Sequence, residues 1–114
     1  MAKKFTSYTV TTGLQNLERK LMQKTRLKQT QIHENAILDI NFENFKILPA
    51  LLVTSRKSPD YITRDAIEHV YLTGEMEQII THAAERNGCS QSTVFFQALM
   101  DYVTGELARL NHEN

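Results

Sequence analysis

Four histidines and one cysteine, His33, His69, His82, His112 and Cys89, are the residues best suited to metal or nucleophilic chemistry. The histidines show no pair at metal-ligand spacing with carboxylates or cysteine, and His82 falls on the outer face of a predicted helix. Cys89 has no base nearby in sequence. The chain contains no GxxxxGK[ST], GxGxxG or GxSxG, so phosphate-loop, dinucleotide-binding and nucleophile-elbow chemistries are not expected. No enzymatic activity, metal or cofactor is expected from these residues. A lone cysteine allows no internal disulfide, which suits a reducing compartment.

Binding chemistry has more support, beginning with charge. The 114 residues are neutral overall. Residues 1–30 nevertheless hold Lys3, Lys4, Arg19, Lys20, Lys24, Arg26 and Lys28 against Glu18 alone, while the remainder holds six Lys/Arg against twelve Asp/Glu. A basic amino-terminal quarter on a neutral chain suits an anionic partner such as nucleic acid. With 41% apolar and 23% charged residues, the composition is that of one compact domain, residues 1–114. No apolar run approaches the roughly 18 residues of a membrane span, and the start "MAKKFTSYTV" lacks a signal-peptide core. The expected setting is therefore cytoplasmic, without a membrane partner.

The elements that position these residues follow from periodicity. From Glu75 onward Met76, Ile79, Ile80, Ala83 and Ala84 mark one buried helix face. Asn87-Gly88 stops that helix, since glycine adopts the left-handed capping conformation freely. Ser90 can cap the next helix, whose buried stripe is Val94, Phe95, Ala98, Leu99, Tyr102 and Val103, and Cys89 plugs the corner. Upstream, "IEHVYLTG" alternates as a short strand.

A lone strand needs a partner, and the chain supplies one. Shifting the sequence by 62 lays Phe5–Ile40 over Ile67–Tyr102 without a gap. Tyr8 and Val10 fall on Val70 and Leu72; Leu14, Leu17 and Leu21 fall on Met76, Ile79 and Ala83; Ile32, Ala36, Ile37 and Ile40 fall on Val94, Ala98, Leu99 and Tyr102. The organisation expected is copy 1 at 5–40, a packed linker at 41–66, copy 2 at 67–103, and a helix extension and tail at 104–114.

The stretch "GCSQSTV", Gly88 to Val94, together with Ala98, resembles the inter-helix turn of the ribbon-helix-helix family of bacterial and phage DNA-binding proteins, of the MetJ, Arc and CopG type. The first copy fits more loosely, with Arg26 at the glycine position and Lys28 at the capping serine. The tandem, single-chain format is similar to that of TraY-type conjugation proteins. The resemblance implies a mainly α fold with a short two-stranded antiparallel β-ribbon, a tandem ribbon-helix-helix forming a pseudo-dimer within one chain. It also implies sequence-specific binding of double-stranded DNA through a ribbon in the major groove, by a transcriptional repressor or a plasmid-transfer accessory protein.

Strand parity then selects the base-contacting candidates. With Tyr8, Val10, Val70 and Leu72 facing the helices, Phe5, Ser7, Thr9, Ile67, His69 and Tyr71 face outward. From the family's use of the second helix's amino terminus, phosphate contacts are expected at Lys28, Gln29 and Thr30 and at Ser90, Gln91 and Ser92, with Lys3 and Lys4 as a short basic arm before the first strand. Asp60, Asp65 and Glu68 crowd the second strand's entrance, where they would repel phosphate. The linker run Ile47, Leu48, Leu51, Leu52 and Val53 is expected to pack on the repeat core, or against a second copy or a protein partner, while "SRKSPD" reads as an exposed turn. The alternative function is a protein-interaction module, an antitoxin or phage-encoded inhibitor built on the same scaffold.

Overall fold

Two seven-residue strands pair antiparallel and form the platform for the rest of the chain. In the computed structural model, which describes residues 3–113, β1 (Lys4–Val10) pairs with β2 (Ala66–Leu72). Each is followed by two helices: α1 (Thr12–Thr25) and α2 (Gln29–Leu38) after β1, α3 (Gly74–Asn87) and α4 (Gln91–Glu113) after β2. The fold is mainly helical, with four α-helices and one two-stranded antiparallel sheet among the described residues. None of these helices is long and apolar enough to cross a membrane.

Every element of the first half begins 62 residues before its counterpart in the second, the same shift that aligns the sequence. The strand register obeys it too: Ser7 pairs with His69, so equivalent positions meet at the centre of the ribbon. Packing crosses between the halves. Helix α4 lies against β1, α1 and α2, while α2 also contacts α3 and β2. Phe95 of α4 is fully buried at this crossing, its ring stacked 5.0 Å from that of Tyr8 and edge-on to His33 at 5.2 Å.

Local chemistry explains the element ends. Thr11 and Thr73 cap α1 and α3 by accepting the amides of Leu14 and Met76 at 3.1 and 3.2 Å. Ser90 Oγ accepts the Thr93 amide at 3.1 Å and starts α4 as its sequence position predicts. Both inter-helix corners pass through a left-handed residue at φ 62°, Gly88 in the second and Arg26 in the first. The first corner therefore forms without its glycine: the Arg26 amide donates to the Met22 carbonyl at 2.8 Å, and Lys28 N–H donates to Gln31 Oε1 at 2.8 Å in place of a serine cap.

The structure corrects several sequence expectations. Lys4 belongs to β1 rather than to a basic arm. The buried stripe of α1 runs Leu14, Glu18, Leu21, whereas Leu17 lies at the surface, because Glu18 occupies the position that Ile80 fills in α3. Helix α4 continues through Glu113, so the helix extension expected from residue 104 is present and no separate tail follows it among the described residues. The linker is only half packed: Ile47 and Leu51 enter the core, and Leu48 and Leu52, flanking or ending the short 3-10 turn Pro49–Leu52, stay exposed. Two side chains of α4 hold it down: Gln97 accepts the Leu48 amide at 2.9 Å, and Thr93 Oγ1 accepts a bond from Arg64 at 3.0 Å.

Candidate nucleic-acid interface and a buried ionisable cluster

The ribbon has two unlike faces. Tyr8, Val10, Val70 and Leu72 point into the helices, and Phe5, Ser7, Thr9, Ile67, His69 and Tyr71 point outward and are exposed, as strand parity predicts. Ser7 Oγ and His69 Nδ1 share a hydrogen bond of 3.0 Å across the central pair. Phe5 stacks on the His69 ring at 5.3 Å and meets Tyr71 edge-on at 5.2 Å. One end of the outer face is thus an aromatic cluster; the other carries Thr9 opposite Ile67. Phe5, Ile67 and Tyr71 are 54%, 58% and 49% exposed, an unusual concentration of apolar surface for a solvated face.

The free edge of β1 abuts the start of α4. Ser92 Oγ accepts the Thr9 amide at 2.7 Å and shares a second bond of 2.9 Å with the Thr9 hydroxyl. This joins a helix amino terminus to the ribbon's edge. It also engages the side chains expected to reach phosphate: Ser90 Oγ caps the helix, and Gln91 accepts from Tyr8 at 3.3 Å and donates to Thr81 at 3.4 Å. What remains for an anion there is the pair of amides that open the helix, those of Gln91 and Ser92, since the Thr93 amide is taken by Ser90 Oγ. In the first half Lys28, Gln29 and Thr30 are all exposed, but the Gln29 side-chain amide is engaged by the carboxylates of Glu18 and Glu68. Lys3 is exposed, and Lys4 pairs with Glu77 at 3.3 Å on the helical side of the strand.

Of the three acids expected to crowd the second strand's entrance, Asp60 and Asp65 are exposed and only Glu68 is withdrawn from the surface. Asp65 sits at the amino terminus of α1, where its carboxylate accepts from the Thr12 amide at 3.0 Å and the Thr12 hydroxyl at 3.1 Å. Those bonds hold its pKa below the ordinary 3.8. Glu68 is buried. Glu18, the one acid of the basic quarter, is buried with it, while all seven Lys/Arg of residues 3–30 are exposed.

Glu18, His33 and Glu68 meet under the ribbon, 1%, 2% and 3% exposed. His33 Nε2 lies 3.2 Å from Glu18 Oε2 and 3.6 Å from Glu68 Oε1, between the two carboxylates. The outer oxygens are held from the other side by one amide nitrogen: Gln29 Nε2 donates to Glu18 Oε1 at 3.1 Å and to Glu68 Oε2 at 2.8 Å, with Gln15 adding a bond to Glu68 Oε2 at 3.4 Å. Burial raises the Glu18 pKa. For His33 burial acts downward but is outweighed by the two carboxylates, so the imidazole holds its proton more tightly than usual. Glu68, despite its burial, is pulled down to about 2 by His33 and Glu18.

Sequence reasoning missed this cluster because the three residues lie 15 and 35 positions apart, on three different elements. A signal was present, however. Each occupies a slot that periodicity assigns to the core: Glu18 between Leu14 and Leu21, His33 beside Ile32, and Glu68 in phase with Val70 and Leu72. The remaining candidates stay apart. His82 is exposed with its ring 4.6 Å from Phe42, and Cys89 is half-buried at the second corner, with burial raising its thiol pKa.

No protein-family model matches the chain, and no curated protein or solved structure is similar enough to count as a match.

Proposed function

We propose that the chain binds double-stranded DNA as a tandem ribbon-helix-helix unit, laying the outer face of β1 and β2 in the major groove. The observation that carries this reading is the ribbon itself: a two-stranded sheet backed by four helices, with six alternate side chains exposed on the side away from them. A groove about 12 Å wide admits a two-stranded ribbon, and hydroxyl, imidazole and aromatic groups at alternate positions suit base edges and thymine methyls. Ser7, Thr9, His69 and Tyr71 supply the hydrogen-bonding groups, Phe5 and Ile67 the apolar contacts. The amides opening α4, the Lys28–Thr30 segment and Lys3 are the phosphate-contacting groups. Withdrawal of Glu18 into the core leaves the side chains of residues 3–30 a uniformly basic outer surface, which supports an anionic partner.

The biological role this supports is a repressor or a plasmid-transfer accessory protein, and the chain acts as a non-enzymatic binder. A second reading, a protein-interaction module or a homodimer joined through the linker, draws on the exposure of Leu48 and Leu52.

Duplex binding across a salt series distinguishes the two. Affinity falling steeply with rising salt is expected, with Lys28→Ala reducing the slope of log K against log salt by about 1. His69→Ala should weaken the preferred sequence by about 1–3 kcal/mol relative to random duplex. Absence of binding to any duplex at low salt, or salt-independent binding, refutes the DNA reading. Fragments selected from random DNA would define the site.

A further inference from the structure

The buried cluster has the composition and spacing of a metal centre, and it lies on the helical side of the ribbon, opposite the outer face. We propose that Glu18, His33 and Glu68 bind one divalent first-row transition-metal ion, with Zn2+ as the natural probe.

Three observations converge on it. First, the potential donor atoms of these residues all lie within 4.8 Å of one another. The separations from His33 Nε2, 3.2 Å to Glu18 Oε2 and 3.6 Å to Glu68 Oε1, bracket the edge of a coordination tetrahedron. With metal–ligand bonds of about 2.0–2.2 Å, that edge is roughly 3.4 Å. An ion seated among the three atoms would meet both His33–carboxylate edges at about their present lengths.

Second, those three atoms are, with His33 Nδ1, the buried side-chain polar atoms that lack a well-formed hydrogen bond among the described residues. Glu18 Oε2, Glu68 Oε1 and both ring nitrogens of His33 have none, despite burial that makes an unpaired polar group costly. The oxygens that point away are satisfied, by Gln29 and Gln15. Metal-ligating carboxylates show this division, one oxygen for the ion and the other held by an outer donor that fixes the group's orientation. Phe95, edge-on at 5.2 Å, sets the ring plane of His33.

Third, the charges balance. Two ionised carboxylates and a neutral imidazole around a divalent cation sum to zero, the condition under which such a group is least costly to bury. One imidazole and two carboxylates suit Zn2+, Mn2+, Fe2+ or Co2+. Ca2+ demands six to eight oxygens, and thiolate-seeking ions find no sulfur here. Three protein ligands leave a fourth position for a water molecule. Because the ligands come from α1, α2 and β2, the ion would clamp the helices of the first half to the strand of the second.

The test uses the full chain stripped with chelator and titrated with Zn2+ by calorimetry, with Co2+ absorption as a reporter of geometry. One Zn2+ per chain is expected, with a raised unfolding midpoint and a visible four-coordinate Co2+ spectrum. Glu18→Gln or Glu68→Gln, which keep shape, should abolish binding, and Gln29→Ala should weaken it by about 10–100-fold. Folding of each variant is checked by circular dichroism, and the wild-type titration stands whether or not they fold. Failure of the folded wild-type chain to bind Zn2+ or Co2+ overturns the proposal. So does stoichiometric binding that persists in the triple variant Glu18→Leu, His33→Leu, Glu68→Val, since it would place the ion elsewhere.

Discussion

Replacing His33 with leucine in chelator-treated protein tests what holds the buried cluster together. Leucine is close to histidine in volume, so the change removes the imidazole without opening a large cavity. It leaves Glu18 Oε2 and Glu68 Oε1, which lie 3.2 and 3.6 Å from His33 Nε2 in the wild type, facing each other with no cation between them. Removing one partner from a buried charged group costs about 3–5 kcal/mol. For a domain of this size that is a fall of roughly 10–20 °C in the unfolding midpoint. Glu18 can relieve the repulsion by taking a proton, and burial already raises its pKa. The loss caused by His33→Leu should therefore shrink as pH falls. The triple replacement Glu18→Leu, His33→Leu, Glu68→Val removes all three ionisable groups together. It should be neutral or stabilising by about 1–4 kcal/mol relative to wild type, as for other buried ion clusters exchanged for apolar side chains. The second half already uses Ile80 and Phe95 where the first has Glu18 and His33. Chemical denaturation followed by circular dichroism measures both. The reasoning is wrong if His33→Leu lies within about 1 kcal/mol of wild type at pH 7, or if the triple variant is no more stable than the single one.

The two corners should respond with opposite signs to substitutions at equivalent positions. Arg26→Gly relieves a side chain held at φ 62° and should stabilise by about 1 kcal/mol, whereas Gly88→Ala, which meets no atom within 4 Å, should cost about 1 kcal/mol in backbone strain alone; equal signs in denaturant titrations would contradict this. Asp65 predicts a pH dependence. Its carboxyl has a folded pKa below the ordinary 3.8, so the charged form is the one that stabilises α1, fully present above pH 3.8 and lost as pH falls through the lowered value. The stability gap between wild type and Asp65→Ala should be open at neutral pH and close in acid. A gap that persists unchanged in acid would assign Asp65 another role.

The elements and the ribbon's outward residues were legible in the sequence because both rest on periodicity. Alternation in "IEHVYL" sets which side chains face out, and it holds whatever the strand packs against. Asn87-Gly88 and Ser90 carry their own local chemistry, so that corner could be read to the residue. Arg26 could not, because φ 62° in an arginine is imposed by the packing of α1 and α2 around it rather than favoured by its side chain. Glu18 was masked differently: its slot is the core slot that Ile80 fills in the second half, but hydrophobicity favours the adjacent Leu17, and the partners that make a buried acid tolerable there, His33 and Gln29, come from another helix. Gln29 and Ser92 show a further limit. Their positions at helix starts were legible, but their inward hydrogen bonds to Glu68 and Thr9 depend on the other half of the chain.

Under the proposed tandem arrangement, joining two repeats in one chain removes a constraint that a homodimer cannot escape. Positions 7 and 69 are equivalent and face each other at the centre of the ribbon; in a symmetric dimer they would carry the same residue. Two histidines there would repel when protonated, and two serines would leave the ribbon's outer face without an imidazole. Divergence allows Ser7 to bond His69 at 3.0 Å instead. The same freedom governs the core. Glu18, His33 and Glu68 correspond to Ile80, Phe95 and Thr6, so the cluster occurs once, whereas symmetry would force two such clusters into a core shared by four helices. Stability on that scale tolerates one buried ionisable group of this kind far better than two. Under the proposed function the outer face inherits this asymmetry: Phe5 answers to Ile67 and Thr9 to Tyr71, so the two halves of a bound site meet different chemistry and its sequence need not be palindromic.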